Sequence, residues 1–158
     1  MTERPAIPAA PHTGGCICGA VRYSLNARPL AVNACHCNAC KKLTGATNLL
    51  MLLASRAAFS FDGEVERYAR HAPSGRVIDI VRCAKCGVRM WHEPRSAPEL
   101  VFVAVGTLHD PSWAVPSSHI FVESASPGVV IQDDALVLQG GPTRREDLMD
   151  AFARLYPS

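Results

Sequence analysis

Seven cysteines fall in three clusters: Cys16 and Cys18, then Cys35, Cys37 and Cys40, then Cys83 and Cys86. Thiols at these spacings suit metal binding. In the last cluster, C-x-x-C is followed by Gly87, and a glycine there permits the positive φ that turns backbone amides back toward sulfur. In the first cluster, C-x-C followed by Gly19 puts both sulfurs on one side of an extended segment, because side chains alternate. Pairing the outer clusters gives Cys16, Cys18, Cys83 and Cys86. Four thiolates leave no open position, so this set is expected to hold a structural zinc ion. Arg82, Lys85 and Arg89 stand nearby to offset its negative charge.

The middle stretch, "NACHCNACKKLTG" (33–45), carries three thiols and lacks a fourth cysteine. Three protein ligands plus an exchangeable position is the arrangement of a catalytic zinc. The fourth position is then held by water at rest and by a substrate atom during turnover. Lys41 and Lys42 follow at once, and positive charge there favours thiolates and an incoming anion. Closure by a histidine is the alternative. His36 points away from the sulfurs in an extended Cys-His-Cys, but His92, His109 or His119 could reach them through the fold. A redox role for C-x-x-C fits poorly, because the clusters do not sit in a βαβ pattern.

The elements that must position these residues are mostly strands. Short alternating runs recur: "AVRYSL", "PLAVNA", "TNLLMLLA", "EVERYAR", "RVIDIVRC", "VRMWHE", "ELVFVAVG" and "SSHIFVES". "TNLLMLLA" is short enough, and close enough to other strands, to read as a buried strand. Only the C-terminus reads as helix, with Thr143 and Glu146 spaced as a capping box and an apolar stripe of Leu148, Phe152 and Leu155. At 158 residues the chain is expected to form one domain with a single core. The expected division is a flexible lead-in over 1–12, a zinc-binding domain over 13–140 and a helix packed on it over 141–158.

Apolar residues make up 48% of the chain and charged residues 19%, which argues against disorder. A net charge of +2 with no basic run gives no sign of a nucleic-acid or membrane surface. The N-terminal stretch has early charges and three prolines and lacks the apolar core of a signal peptide, so a cytoplasmic location is expected. There, seven cysteines are better read as metal ligands or reactive thiols than as disulfides.

"GGCICGAVRYSL", "CHCNACKKLTG" and "RCAKCG", in this order, resemble the glutathione-dependent formaldehyde-activating enzyme family, which also includes centromere protein V. "VFVAVGTLHDP" and "SSHIFVES" look like that family's later strands. The resemblance spans about residues 12–138 and implies a small β fold of antiparallel sheets arranged as a tent around zinc. It assigns Cys16, Cys18, Cys83 and Cys86 as structural ligands and Cys35, Cys37 and Cys40 as active-site ligands, two zinc ions per chain. The implied reaction joins glutathione and formaldehyde to S-(hydroxymethyl)glutathione, a carbon–sulfur lyase step in reverse. One stretch departs: "ASPGVVIQDD" has Gly128 and Val129 where the family often carries an aromatic residue in a stretch like Ala-Pro-Trp.

The chemistry of the middle site follows from its donors. Three thiolates on a divalent ion leave a net charge of −1, a weak Lewis acid poorly suited to making hydroxide and well suited to exchanging soft sulfur ligands. The expected substrates are a small thiol, glutathione in the family's case, and a small aldehyde. The metal lowers the pKa of the thiol, whose sulfur attacks the carbonyl. Lys41 or Lys42 helps hold the thiol, and the proton comes from water or from His92, His109 or His119, with His119 set beside the three cysteines as a catalytic candidate. The competing class is a zinc-stabilised binding module without enzymatic activity.

Overall fold

The computed structural model describes residues 3–158. Its elements are β1 (His12–Gly15), β2 (Arg22–Leu25), β3 (Ala31–Cys35), α1 (Asn38–Thr44), β4 (Leu49–Ser55), β5 (Phe59–Asp62), β6 (Val65–His71), β7 (Val77–Cys83), β8 (Arg89–Pro94), β9 (Leu100–Ala104), β10 (Ser118–Ile120), β11 (Leu136–Val137) and α2 (Glu146–Leu155). The fold is mainly β, as the alternating runs imply. Each of those eight runs contains a strand, while β1, β5 and α1 carry no strong periodic signal. Among the described residues no helix is long and apolar enough to cross a membrane.

The chain separates into two units, each assembled from distant segments. The first takes the described N-terminus up to Ile7, Leu30–Leu52 and Ser112–Ser158. Here β10 lies between β3 and β11 and is parallel to both, with Ser118 opposite Asn33 and Leu136. The expectation of wholly antiparallel sheets is corrected at this point. β3 and β10 are 85 residues apart in register, far enough for a long crossover to bring them parallel. The ladder is reinforced by side chains, since Ser118 Oγ donates to Asn33 Oδ1 at 3.1 Å in a buried environment. Beside β3 runs the first part of β4.

α2 packs on β3 through Leu148, Ala151 and Phe152, all buried. The expected capping box does not form. Arg145 occupies the N-cap in α-helical conformation, and its side chain makes no capping hydrogen bond. Tyr156, just past the helix, fixes its end by donating from its hydroxyl to the Val115 carbonyl at 2.8 Å.

The second unit takes Pro8–Pro29 and Leu53–Pro111. β1, β2 and β5 form an antiparallel sheet, and β9, β8, β7 and β6 follow the end of β4 in another. Trp91 is fully buried among Phe61, Phe59 and Tyr23, with ring centroids 4.8, 5.0 and 6.2 Å away. The polar atoms of this cluster are satisfied: Trp91 Nε1 donates to Glu93 at 3.0 Å, and the Tyr23 hydroxyl meets Thr107 Oγ1 at 2.8 Å. Gly14 lies so close to the Tyr23 ring and the Thr107 carbonyl that a side chain would clash with both.

Candidate metal centres

In the second unit, two similar turns bring four sulfurs together. At the first, Cys16 N donates to Val21 O at 3.0 Å and Gly19 N to Cys16 O at 3.2 Å, with Gly19 at φ 76°. At the second, Cys83 ends β7; its N donates to Val88 O at 3.0 Å and Gly87 N to Cys83 O at 3.0 Å, with Gly87 at φ 77°. The positive φ anticipated after C-x-x-C is present at Gly87, and Gly19 shares it because C-x-C runs into a turn and not an extended segment. Amides turn toward sulfur, with Val21 N reaching Cys16 Sγ at 3.3 Å and Cys86 N reaching Cys83 Sγ at 3.5 Å.

All four sulfurs lie within 4.8 Å of one another. Cys16 and Cys18 Sγ are 3.5 Å apart, and Cys18 and Cys83 Sγ 3.8 Å. A tetrahedral zinc with bonds of about 2.3 Å has ligand–ligand edges of about 3.8 Å, so the set fits that ion. The sulfurs also feel one another. Against the opposing effect of burial, the Val21 amide and the neighbouring thiols pull Cys16 down to about 6, while Cys18 is raised. Four thiols this close cannot all ionise together unless a cation lies among them. Of the basic residues expected to offset this charge, Arg82 is committed to Glu66 at 2.9 Å and Arg89 donates to His92 at 3.0 Å.

In the first unit, Cys35 closes β3, Cys37 is the N-cap of α1 and Cys40 lies in its first turn. Cys37 Sγ accepts from Cys40 N at 3.3 Å, and the helix stops at Gly45, whose N donates to Lys41 O at 2.8 Å. The strand end and the cap converge the three sulfurs within 4.8 Å of one another. Cys35 and Cys40 are buried and Cys37 is half-buried, so the set opens at Cys37. Cys35 is held strongly toward its protonated form by hydrogen bonding with Cys37 and Cys40 and by burial. Among the described residues no histidine or carboxylate joins these three sulfurs.

The other predicted site residues are elsewhere. Lys41 donates its ammonium to the Ser124 carbonyl at 2.6 Å, and Lys42 is exposed on the helix. His119 lies in β10 opposite Ala34, and its Nδ1 meets His36 Nε2 at 2.9 Å. Its Nε2 meets Gln132 Oε1 at 2.6 Å. Burial holds both histidines below the usual imidazole range. In the second unit, His92 accepts from Arg89, and His109 Nδ1 is 3.1 Å from Thr13 Oγ1. Sequence reasoning set His36 aside as pointing away from sulfur, which hides its pairing with His119. Gln132 carries no local signal.

The sequence model of the glutathione-dependent formaldehyde-activating enzymes matches residues 11–124, which include all seven cysteines, His36 and His119. The chain belongs to this family. The family match ends at Ser124, just before the stretch that departs from the family pattern, so Gln132, β11 and α2 lie beyond it. A crystal structure of a Rhodobacter sphaeroides protein, a structural-genomics target, is similar in fold, with a TM-score of 0.50 and 20% identity over 80% of this chain and 98% of the other. Both cysteine sets of this family member could hold a metal ion, and zinc suits both.

Proposed function

We propose that this protein is a zinc-dependent enzyme that makes and breaks a carbon–sulfur bond between a small thiol and a small aldehyde, with glutathione and formaldehyde as the first pair to test. The observation that carries this reading is the convergence of Cys35, Cys37 and Cys40, joined by no histidine, carboxylate or further cysteine among the described residues and opened toward solvent at Cys37. Family membership supports it. The four-cysteine set acts as a structural clamp that ties the turn after β1 to the end of β7.

Cys35, Cys37 and Cys40 would hold the zinc, which would supply a soft site that favours the thiolate form of a substrate thiol. The chain's own residues set the geometry. Cys35 and Cys40 form the buried wall, and Cys37 stands at the entrance. Lys41, tied to Ser124, holds the turn after β10 near α1. In the reaction the substrate sulfur forms a bond to the carbonyl carbon, the carbonyl π pair moves to oxygen, and that oxygen takes a proton. The proton released by the thiol balances it. Reversal breaks the same bond.

Exchange NMR of a glutathione–formaldehyde mixture tests the reading. The protein is expected to speed exchange between free aldehyde and adduct, and Cys37→Ser to abolish that gain while staying folded. Equal exchange rates with the wild type and the variant would leave the binding-module reading in its place.

A further inference from the structure

Alternation along β3 puts Asn33 and Cys35 on one face and Ala34 on the other, and His36, the first residue past the strand, stays in line with it because its amide donates to Ile120 O. The register of β10 repeats this, with Ser118 and Ile120 beside Asn33 and Cys35, and His119 beside Ala34. His36 and His119 therefore meet on the face opposite the Cys35 side chain. They are 0% and 2% exposed, their rings stack with centroids 5.2 Å apart and planes 19° from parallel, and they share the 2.9 Å hydrogen bond. Two imidazoles in a core cost desolvation that an apolar pair would not. What they add is direction, since a hydrogen bond fixes a ring's rotation as packing alone does not.

The donor order of this hydrogen-bonded relay is set at its Gln132 end. With Gln132 Oε1 facing it, His119 Nε2 carries the proton and donates. His119 Nδ1 is then an acceptor, so His36 Nε2 donates to it. His36 Nδ1 is buried with no hydrogen-bond partner. The ring of His36 thus has one polar anchor, which runs through His119 to Gln132. His36 is also the residue between two of the three sulfurs. Its backbone amide donates to Ile120 O at 3.0 Å, which continues the β3–β10 ladder past Cys35.

We propose that His36, His119 and Gln132 are positioning residues for the three-cysteine site: the relay locks His36, and the locked His36 fixes the Cys35–His36–Cys37 backbone so that both flanking sulfurs face the same point. The proposal rests on the reading that these sulfurs bind zinc. It takes His119 as a support behind the site, acting through His36. Gln132 lies outside the family match, so this end of the relay belongs to the chain's own C-terminal segment.

The test uses the full chain loaded with zinc or cobalt(II), with the Cys35→Ser/Cys37→Ser double variant as the baseline for the four-cysteine site alone. His119→Phe keeps an aromatic ring and removes both hydrogen bonds. It is expected to speed zinc transfer from the three-cysteine site to a chromogenic chelator by about 10-fold or more, the range for losing an outer-shell partner. The cobalt ligand-field bands of that site should shift, while release from the four-cysteine site stays at the baseline rate. Gln132→Leu, in a half-buried loop, provides a second route should His119→Phe fold poorly. It should speed release several-fold, and Gln132→Glu, which keeps an acceptor, should restore the wild-type rate and spectrum. Two bound metals with unchanged release and spectra in these variants would overturn the positioning role. A wild type that binds no more metal than the double variant would overturn the zinc reading, and the relay with it.

Discussion

The sulfur of Cys37 accepts the amide hydrogen of Cys40 at 3.3 Å, so one candidate ligand caps the helix that carries another. The two roles separate by substitution. Serine is a good N-cap and a poor soft-metal ligand, whereas alanine is neither. Cys37→Ser and Cys37→Ala should both lose metal from the three-cysteine site. Compared as metal-free proteins in urea unfolding, Cys37→Ala should be less stable by about 0.5–2 kcal/mol, the usual cost of deleting a cap. Equal stabilities would mean that the sulfur does not cap α1.

The two cysteine sets should differ in what their loss does to folding. Cys16 and Cys18 are 65 or more residues from Cys83, and a bound metal cross-links the second unit across that distance. Binding free energy at such a site adds to folding, on the order of 10 kcal/mol in small zinc domains. Cys83→Ser should therefore give insoluble or unfolded protein. The Cys35→Ser/Cys37→Ser variant should stay soluble and retain about one of two zinc ions by metal analysis. Similar losses of solubility from both changes would show that the three-cysteine set is also a folding clamp.

His92 gives a pH dependence of known sign. It is 5% exposed, and burial, then the nearby positive charges of Arg89 and Arg70, lower it to about 3. An unfolded histidine titrates near 6.5, so between these values the unfolded chain binds the extra proton. The contribution is fully present above about pH 6.5 and falls with acidification at up to about 1.4 kcal/mol per pH unit. His92→Gln keeps a side-chain acceptor for Arg89 and cannot titrate. Over pH 5 to 6, urea unfolding should show a slope shallower by about 1 kcal/mol per pH unit in the variant. Metal loss in acid affects both proteins and cancels in the comparison. Parallel slopes would contradict the assignment.

Local chemistry was legible in the sequence where it is self-contained. The turn glycines Gly19 and Gly87, the C-x-C and C-x-x-C sulfurs and the alternating strands need only near neighbours to define them. The four-plus-three division also emerges from spacing, because four sulfurs close a tetrahedron and three do not. α1 was missed because its seven residues carry no apolar stripe, and its cap is a cysteine instead of the usual hydroxyl or amide. Thr143 and Glu146 have capping-box spacing, yet the chain is already helical at Arg145, which displaces the expected cap. The parallel alignment of β10 with β3 and the reach of Gln132 to His119 depend on the tertiary path, so no local pattern reports them.

The same limit applies to Arg4, in the proline-rich stretch read as a lead-in. Its guanidinium forms a two-pronged pair with Asp134, Nη2 to Oδ1 at 2.7 Å and Nε to Oδ2 at 3.0 Å. Nη1 donates to the carbonyls of Val115 and Pro116 at 3.2 and 2.9 Å, and the group lies 5.4 Å from the centre of the Tyr156 ring. With side chains only 6% and 14% exposed, this pair is screened far less than a surface ion pair. Arg4→Ala removes the donors and leaves a half-buried carboxylate without its main partner, at an expected cost of about 1–3 kcal/mol. Arg4→Lys should recover only part, because an ammonium cannot serve both carboxylate oxygens and two carbonyls in a fixed plane. The double change Arg4→Leu/Asp134→Leu should be milder than Arg4→Ala, since no charge is left without a partner. Denaturant unfolding of the three variants separates these outcomes. An Arg4→Ala protein within about 0.5 kcal/mol of wild type would place the pair among ordinary surface contacts.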